Sequence, residues 1–364
     1  MHNKEKNHRL SGEIRKPTIK DVAREAKVSD TTVSLSFREN SRISETTRAN
    51  VLKIAKSLGY SPNSAAQRLR MGRTKTLGFL INDITNPFYG TMLRASEQIA
   101  NTRGYQVVFS ESQWKAQNEL RTIEKMIENR IEGIILCFSE QSAKGYQLIR
   151  SSGLPYVVVD TNPDFYSGAY VVNETLHAGY LAAQHLHTIG CKKIAFLNAD
   201  KTLKNFSSIR LMEQGFHQFF VESGQNTPYY AVEESGLTIA SGIESFQAIE
   251  KSEEKYDGIF CMNDLCALGF MHASKKAGLS PGQDFAIVGV DNSEVADLQM
   301  IQLSSIKIDY HKISEIATNY LIDVLEGKVN TEIKATVRPE LVVRESSAGF
   351  GKRKYSNCGR PGFD

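Results

Sequence analysis

Long apolar runs are missing from this 364-residue sequence. A membrane-spanning helix needs about 18 or more consecutive apolar residues, so no span and no membrane partner is predicted. The chain begins MHNKEKNHRL, without the apolar stretch of a secretory signal. We therefore expect a cytoplasmic protein.

Cysteine is scarce, and its spacing shows no pattern of bridges or metal ligands. The five cysteines are odd in number and lack zinc-finger spacing, which favours reduced thiols. His185 and His187 lie two positions apart on a predicted helix and face different directions, so structural or solvated roles are favoured over metal binding. We predict no metal site and no cofactor.

Catalytic signatures are absent as well. The sequence has no phosphate-binding glycine loop, no HExxH pair and no strained serine turn of the kind that carries a hydrolase nucleophile. We predict that the chain is not an enzyme.

Positive charge is concentrated at one end of the chain. Residues 1–75 contain 17 Lys and Arg against 7 Asp and Glu, a net charge of +10, whereas the remainder carries −7. Cations near phosphate release condensed counterions, which drives binding to nucleic acid. The basic end therefore predicts contact with double-stranded DNA.

The same end reads as three short helices. Thr18 can cap the first helix, and Asp21 suits the exposed amides of its first turn. Ser29 restarts the chain as the next cap, and a third helix begins near Ser44 and stops at Gly59. Two helices joined by a short turn form a helix-turn-helix, whose second helix can enter the major groove.

In one continuous register these residues resemble the LacI/GalR family of bacterial transcription regulators. The matching residues are Thr18, Ile19, Asp21, Val22, Ala23, Ala26, Val28, Ser29, Thr32, Val33, Ser34, Ser44, Thr47, Arg48, Gly59, Tyr60, Pro62, Asn63, Ala66 and Leu69. The resemblance extends to about Ser346. It implies a repressor that binds a pseudo-palindromic operator as a homodimer, with operator affinity set by a small-molecule effector.

The resemblance also implies which residues contact DNA. In the helix-turn-helix they are Thr18, Ser29, Asp30, Thr31, Thr32, Ser34 and Leu35. Leu35 stands where the family usually has an arginine, so we expect an altered base preference rather than loss of binding. Lys27 replaces a turn glycine, at a backbone cost of roughly 1 kcal/mol.

Residues 62–75 match the hinge helix of the family. The resemblance places Asn63, Ala66, Leu69 and Arg70 on the operator, with Leu69 as a wedge in the minor groove. The alternative for Leu69 is an apolar contact of an ordinary linker helix.

From Thr76 onward, short apolar runs alternate with amphipathic segments. The runs lie at 77–81, 105–109, 133–138, 155–160, 193–198, 257–262 and 285–290, and the helices are predicted at 88–103, 117–130, 174–189, 208–222, 239–251 and 265–277. This rhythm predicts an α/β core of two similar parallel-sheet subdomains. The resemblance implies a periplasmic-binding-protein-like core in which the chain crosses between subdomains three times around a ligand cleft.

The predicted fold class is therefore an all-α helix-turn-helix headpiece followed by that α/β core. The predicted divisions are a basic flexible leader (1–17), the headpiece (18–61), the hinge helix and linker (62–75), the effector-binding and dimerisation core (76–346) and a flexible basic tail (347–364).

Ligands of open α/β sheets bind beyond the carboxyl ends of strands, where this chain is polar and aromatic. The candidate effector-binding residues are Asn82, Asp83, Asn86, Phe88, Asp160, Arg210, Asn263 and Asp291. In the family, the positions of Asp160, Asn263 and Asp291 commonly touch the effector. Asp83 and Asn86 have an alternative role as helix caps.

One departure concerns the arginine that usually precedes Gly215 by three positions. This chain has Met212 there, and Arg210 lies about 200° away around the helix. The effector is therefore expected to be smaller, less anionic or differently oriented than usual, or the cleft is empty.

The residue types favour a sugar or sugar derivative, although a purine would use similar groups. Two alternatives stay open: a regulator with a vestigial cleft that is controlled by a partner protein, and a solute-binding protein. The second should carry an export signal and no basic headpiece.

Overall fold

The computed structural model describes residues 17–37, 41–61, 73–140, 143–160, 166–203, 206–224, the backbone of 229–232, and 235–350. The chain divides into two compact units after Thr74. None of the helices in these ranges is long and apolar enough to cross a membrane.

The described residues of the first unit form three helices where the sequence predicts them. They are α1 (Ile19–Ala26), α2 (Asp30–Ser36) and α3 (Glu45–Leu58). The Asp21 carboxylate accepts hydrogen bonds from the Thr18 amide and hydroxyl, and the hydroxyls of Ser29 and Ser44 cap α2 and α3. These caps satisfy amides that the first turn leaves without partners.

A small apolar core holds the three helices together. Val22, Val33 and Val51 are fully buried and come from α1, α2 and α3. Lys27 ends α1 in the left-handed region, with φ 54°, as expected for a residue in the place of a turn glycine.

The second unit contains two six-stranded sheets. Its strands are β1 (Thr76–Ile81), β2 (Gln106–Glu111), β3 (Gly133–Leu136), β4 (Tyr156–Asp160), β5 (Tyr170–Asn173), β6 (Ile194–Leu197), β7 (Tyr229–Val232), β8 (Gly258–Cys261), β9 (Ala286–Asp291), β10 (Ser304–Lys307), β11 (Lys334–Val337) and β12 (Glu340–Val342). Its helices are α4 (Pro87–Thr102), α5 (Ala116–Glu128), α6 (Lys144–Ser152), α7 (Thr175–Thr188), α8 (Ser207–Glu222), α9 (Ile239–Lys251), α10 (Asp264–Lys276), α11 (Tyr310–Leu325) and α12 (Glu345–Ala348).

The strand order confirms two subdomains joined by three crossings. The first sheet has the order β11-β5-β4-β3-β1-β2 and the second β12-β10-β9-β8-β6-β7. The chain therefore leaves the first sheet after β5, returns after β10, and leaves again after β11. All described pairings are parallel except that of β10 with β12.

Several elements escaped the sequence analysis. They are β5, β7, β10, β11, β12, α6, α11 and α12. The missed strands have only three or four residues, too few to show a period.

The predicted boundary between core and tail is wrong by several residues. Ser347 is fully buried and hydrogen-bonds both His185 (2.7 Å) and Ser304 (2.6 Å), and Phe350 joins the apolar core. The core thus extends at least to Phe350, because long-range contacts hold a segment whose own sequence is polar. His185 takes the structural role that its spacing favoured.

Candidate functional site

A cavity of about 60 Å³ lies between the two sheets of the second unit, at the carboxyl ends of their strands. We call it the central cavity. The first subdomain supplies Asn86, Phe88, Trp114, Asp160 and Asn173. The second subdomain and the crossing segments supply Thr175, Ser208, Ile209, Met212, Leu237, Met262, Asn263, Val290, Asp291, Ile308 and Tyr310.

Two aspartates at strand ends dominate the electrostatics of the central cavity. Asp160 ends β4 and is 9% exposed, and no hydrogen bond reaches its carboxylate from the residues the structure describes. Burial, followed by the charge of Glu140, raises its pKa to about 7.

Asp291 ends β9 and accepts a 2.7 Å hydrogen bond from the Tyr310 hydroxyl. Burial and the charges of Asp264 and Asp160 raise its pKa well above the usual range, against the opposing effect of that hydrogen bond. The charge of Asp160 in the first subdomain thus acts on Asp291 in the second.

Three lining residues hold backbone conformations that side chains rarely adopt. Trp114, Asp160 and Asp291 have φ of 58°, 71° and 101°. Positive φ is uncommon outside glycine and costs of order 1–3 kcal/mol per residue. These strained conformations lower the stability of the fold, and they are found where the three side chains face the cavity.

Amides of the lining are partly used within the protein. The Asn263 amide nitrogen donates to the Leu237 carbonyl (2.8 Å), and its oxygen accepts from the Cys266 amide (2.9 Å) at the start of α10. Asn173 donates to the Asp160 carbonyl (3.2 Å). Because a side-chain amide has two donors and two acceptor sites, both residues retain capacity for a ligand.

Aromatic rings form one wall. Phe88 stacks on Tyr310 with centroids 4.4 Å apart and an interplanar angle of 15°. Trp114 meets Phe206 edge-on at 4.9 Å, so it joins the loop after β2 to the segment before α8. Phe88, Trp114 and Tyr310 all belong to the cavity lining, so parts of these rings face the cavity.

A second contact joins the two subdomains beside the cavity. The Glu140 carboxylate, which follows β3, accepts from both the amide and the hydroxyl of Ser207 at 2.8 Å. This carboxylate therefore caps the start of α8 in the other subdomain. Together with Trp114 and Phe206, it holds the subdomains closed.

Of the eight predicted effector residues, five line the central cavity and three do not. Asn86, Phe88, Asp160, Asn263 and Asp291 line it. Asn86 also acts as the cap of α4, with its oxygen 3.4 Å from the Phe88 amide. The same residue therefore caps a helix and lines the cavity.

Asn82, Asp83 and Arg210 do not line the central cavity. Asn82 is buried, donating to the Phe138 carbonyl and accepting from Ser112. The Asp83 carboxylate turns back to the amide and hydroxyl of Thr85. Arg210 lies outside the lining because α8 turns Ser208, Ile209 and Met212 inward, and a residue 200° from Ser208 faces away.

Sequence reasoning missed Trp114, Asn173, Thr175 and Tyr310. Trp114 is the single tryptophan of the chain and follows β2, a signal that was available. Asn173 ends β5 and Tyr310 begins α11, so these two residues could be found only once those elements were known, whereas Thr175 begins α7, which the sequence predicted.

The predicted DNA-contact residues lie on one part of the first unit. Thr18, Ser29, Asp30 and Thr31 are exposed, and Thr32, Ser34 and Leu35 are half-buried. The Arg48 guanidinium donates to the Ser36 carbonyl (3.2 Å), which ties α3 to the end of α2. Asn63, Ala66, Leu69 and Arg70 lie outside the residues that the structure describes.

Comparison with known proteins places both units. Residues 18–63 match the profile of bacterial regulatory proteins of the lacI family, and residues 183–347 match that of a periplasmic binding protein-like domain. Catabolite control protein A of Priestia megaterium is 31% identical over 304 residues, which cover 84% of this chain and 91% of that protein. This chain belongs to the LacI family.

Other LacI-family proteins extend the comparison. The PurR transcriptional repressor of Mannheimia succiniciproducens is 28% identical over 330 residues, covering 90% of this chain and 98% of the relative. A structure of the Lac repressor bound to ONPG has a TM-score of 0.80 at 22% identity and covers 92% of this chain and all of that one. The predicted fold class and regulator assignment are confirmed, and the relatives are transcriptional repressors, not enzymes.

Proposed function

We propose that this LacI-family repressor binds a pseudo-palindromic operator as a homodimer, and that a sugar or sugar derivative in the central cavity changes its operator affinity. The observation that carries the effector proposal is the pair of strained aspartates, Asp160 and Asp291, presented to one cavity from two subdomains. Strained backbone conformations of this kind are typical of functional sites.

DNA contact is assigned to the exposed start of α2. Ser29, Asp30 and Thr31 are exposed there, on a region of the chain with a net charge of +10. Phosphate contacts position such a helix, and side chains at its start read base edges.

Dimerisation is supported by two exposed apolar patches on the second unit. On edge strand β2, Val108 and Phe109 are 41% and 53% exposed, and after β9, Leu298 and Met300 are 50% and 76% exposed. Exposed apolar side chains of this kind are typical of interaction sites. An operator with two half-sites requires two headpieces.

Replacing Phe109 with glutamate is expected to separate the dimer. A charge in an apolar interface is left unpaired, and operator affinity should fall at least about tenfold. Sedimentation velocity would give the mass, and fluorescence anisotropy the affinity. Val221→Glu on α8, where Val221 is 66% exposed outside both patches, is the matched control, and equal behaviour of the two variants would contradict the assignment of this interface.

The residue types of the central cavity suit a polyhydroxylated ligand. Carboxylates and amides pair with hydroxyls, and Phe88 and Trp114 offer flat faces for a ring. A volume of about 60 Å³ is well below the roughly 300 Å³ or more that usual ligand pockets provide. Ligand entry therefore requires the subdomains to separate, which breaks the contacts of Glu140 with Ser207.

This requirement supplies a coupling mechanism. A ligand that favours one angle between the subdomains changes the position of the segments leading to the headpieces, and hence operator affinity. Such coupling is reciprocal, because DNA must change ligand affinity by the same factor.

The small volume also favours a second candidate, a regulator whose cavity is vestigial and whose operator affinity is set by a partner protein on the core. Saturable change of operator affinity by a small molecule would exclude it. Dependence on a protein fraction alone would support it.

Selection of bound duplexes from a random library tests the DNA-binding proposal. The purified full-length chain at moderate salt should enrich a palindrome with a flexible central step. Enrichment of no palindrome would contradict a functional headpiece and leave the core as a binding module.

Leu35→Arg should change the selected sequence at one position in each half-site. An arginine at this position of α2 can make a bidentate contact with guanine, worth about 1–3 kcal/mol of discrimination, whereas leucine offers only apolar contact. Parallel selection with both proteins should therefore show new guanine preference at symmetric positions. An unchanged motif would show that Leu35 lies away from the bases.

A further inference from the structure

The described lining of the central cavity contains acidic side chains and no basic ones. Two carboxylates line it, those of Asp160 and Asp291, and among the described residues that line it there is no lysine, arginine or histidine. The position three before Gly215 carries Met212, which is buried in the lining. An anionic ligand would therefore face two acids with no described cation to offset them.

The aromatic wall adds to the same preference. Phe88, Trp114 and Tyr310 contribute ring surface to a space about 60 Å³ in volume. The face of an aromatic ring carries partial negative charge and attracts a cation within about 6 Å. Rings and carboxylates together therefore select for positive charge.

Asp160 itself lacks a partner. Its side chain is more than nine-tenths buried, lines the cavity and receives no hydrogen bond from the described part of the chain. Asp291, in contrast, accepts from Tyr310. The oxygens of Asp160 are not enclosed by protein, so this carboxylate is open to the cavity and can pair with a ligand group there.

We propose that the effector carries a protonated amine, held between Asp160 and Asp291 and against the rings of Phe88, Trp114 and Tyr310. The class is a small organic ammonium compound with hydroxyl groups, such as an amino sugar. The hydroxyls would pair with the remaining capacity of Asn173 and Asn263. This inference rests on the proposed effector function of the same cavity.

Matched probes test the charge directly. Glucosamine, galactosamine, ethanolamine and putrescine are compared with glucose, galactose, ethylene glycol and 1,4-butanediol, which replace each amine with a hydroxyl. Glucose 6-phosphate is the anionic probe. Trp114 is the only tryptophan and lines the cavity, so its fluorescence in the full-length protein reports binding, and calorimetry gives the affinity.

At least one amine should bind at least about tenfold more tightly than its hydroxyl counterpart, as expected of charge-assisted contacts in a buried site. Asp160→Asn should remove most of that preference, so that the amine and its hydroxyl counterpart bind this variant with affinities within about threefold of each other. Asp291→Asn is the second variant and should act in the same direction.

Three results would overturn the proposal: no amine that binds more tightly than its hydroxyl counterpart, preference for glucose 6-phosphate, or no binding by any amine. These failures are distinguishable from failure of the proposed function. A neutral sugar that changes operator affinity refutes only the amine, whereas operator binding that no probe changes removes the small-molecule effector as well.

Discussion

Gly215→Ala is expected to destabilise the second unit by about 3 kcal/mol, the upper part of the range for overpacked interiors. Gly215 lies where α8 crosses α7, and a Cβ added to it would fall 1.7 Å from the Leu176 carbonyl oxygen. The obstacle is backbone, so no side-chain rotation relieves it. The helices must separate, with loss of their buried contacts.

The crossing is reciprocal. A Cβ at Gly179 on α7 would fall 2.0 Å from the Met212 carbonyl oxygen on α8. Each helix therefore uses one glycine to admit the backbone of the other. Since α8 carries Ser208 and Met212 into the central cavity, separation of the helices should also alter that cavity.

Urea unfolding followed by Trp114 fluorescence measures this effect, because the single tryptophan belongs to the second unit. Gly90→Ala on α4 is the control, since a Cβ there meets nothing within 4 Å. It should stabilise the helix by up to about 1 kcal/mol. Equal midpoints for Gly215→Ala and the wild type would contradict the close helix crossing.

Asp160→Asn is expected to have an effect of similar size and opposite sign. At pH 8 the variant should be more stable than the wild type by roughly 2–4 kcal/mol. The pKa of Asp160 is raised from 3.8 to about 7, and each pKa unit corresponds to about 1.4 kcal/mol between the protonation states.

The sign follows from proton linkage. Between pH 4 and 7 the folded protein holds a proton on Asp160 that the unfolded chain has released. The stabilising contribution is complete below pH 4 and is lost as pH rises through about 7. The uncharged amide removes this loss, so wild type and variant should converge near pH 4 and diverge toward pH 8.

Thermal unfolding of both proteins at several pH values, followed by Trp114 fluorescence, checks this prediction. His185, whose pKa is lowered by burial, contributes the opposite slope near pH 6 but is common to both proteins. Glu128→Gln, a change at an exposed carboxylate on α5, should stay within about 0.5 kcal/mol of the wild type. A difference independent of pH would show that Asp160 is paired or exposed.

Local patterns predicted the headpiece well. Thr18, Ser29 and Ser44 marked the helix starts, and Gly59 marked an end, because caps are chosen by backbone chemistry within three or four residues. The strands predicted in the core were those with continuous apolar runs, such as β1 and β9, which are buried on both faces.

Contacts between residues distant in the sequence could not be predicted from these local patterns. Asn82 and Asn86 both follow β1, and only the positions of Phe138 and Ser112 decide that Asn82 is structural. The last residues of the core were missed for the same reason, since Ser347 is held by Ser304 and His185. The periodicity of a short stretch of sequence does not show which distant residues it will contact.

The most direct test of the account is operator affinity measured with and without small molecules. Anisotropy with the selected operator should show at least one amine-bearing or sugar-like compound that changes the dissociation constant saturably, by about fivefold or more, the usual scale of allosteric coupling. A change caused by an amine-bearing compound should be largely lost in Asp160→Asn. Sequence-specific binding that no compound alters, in either protein, would contradict the effector role of the central cavity.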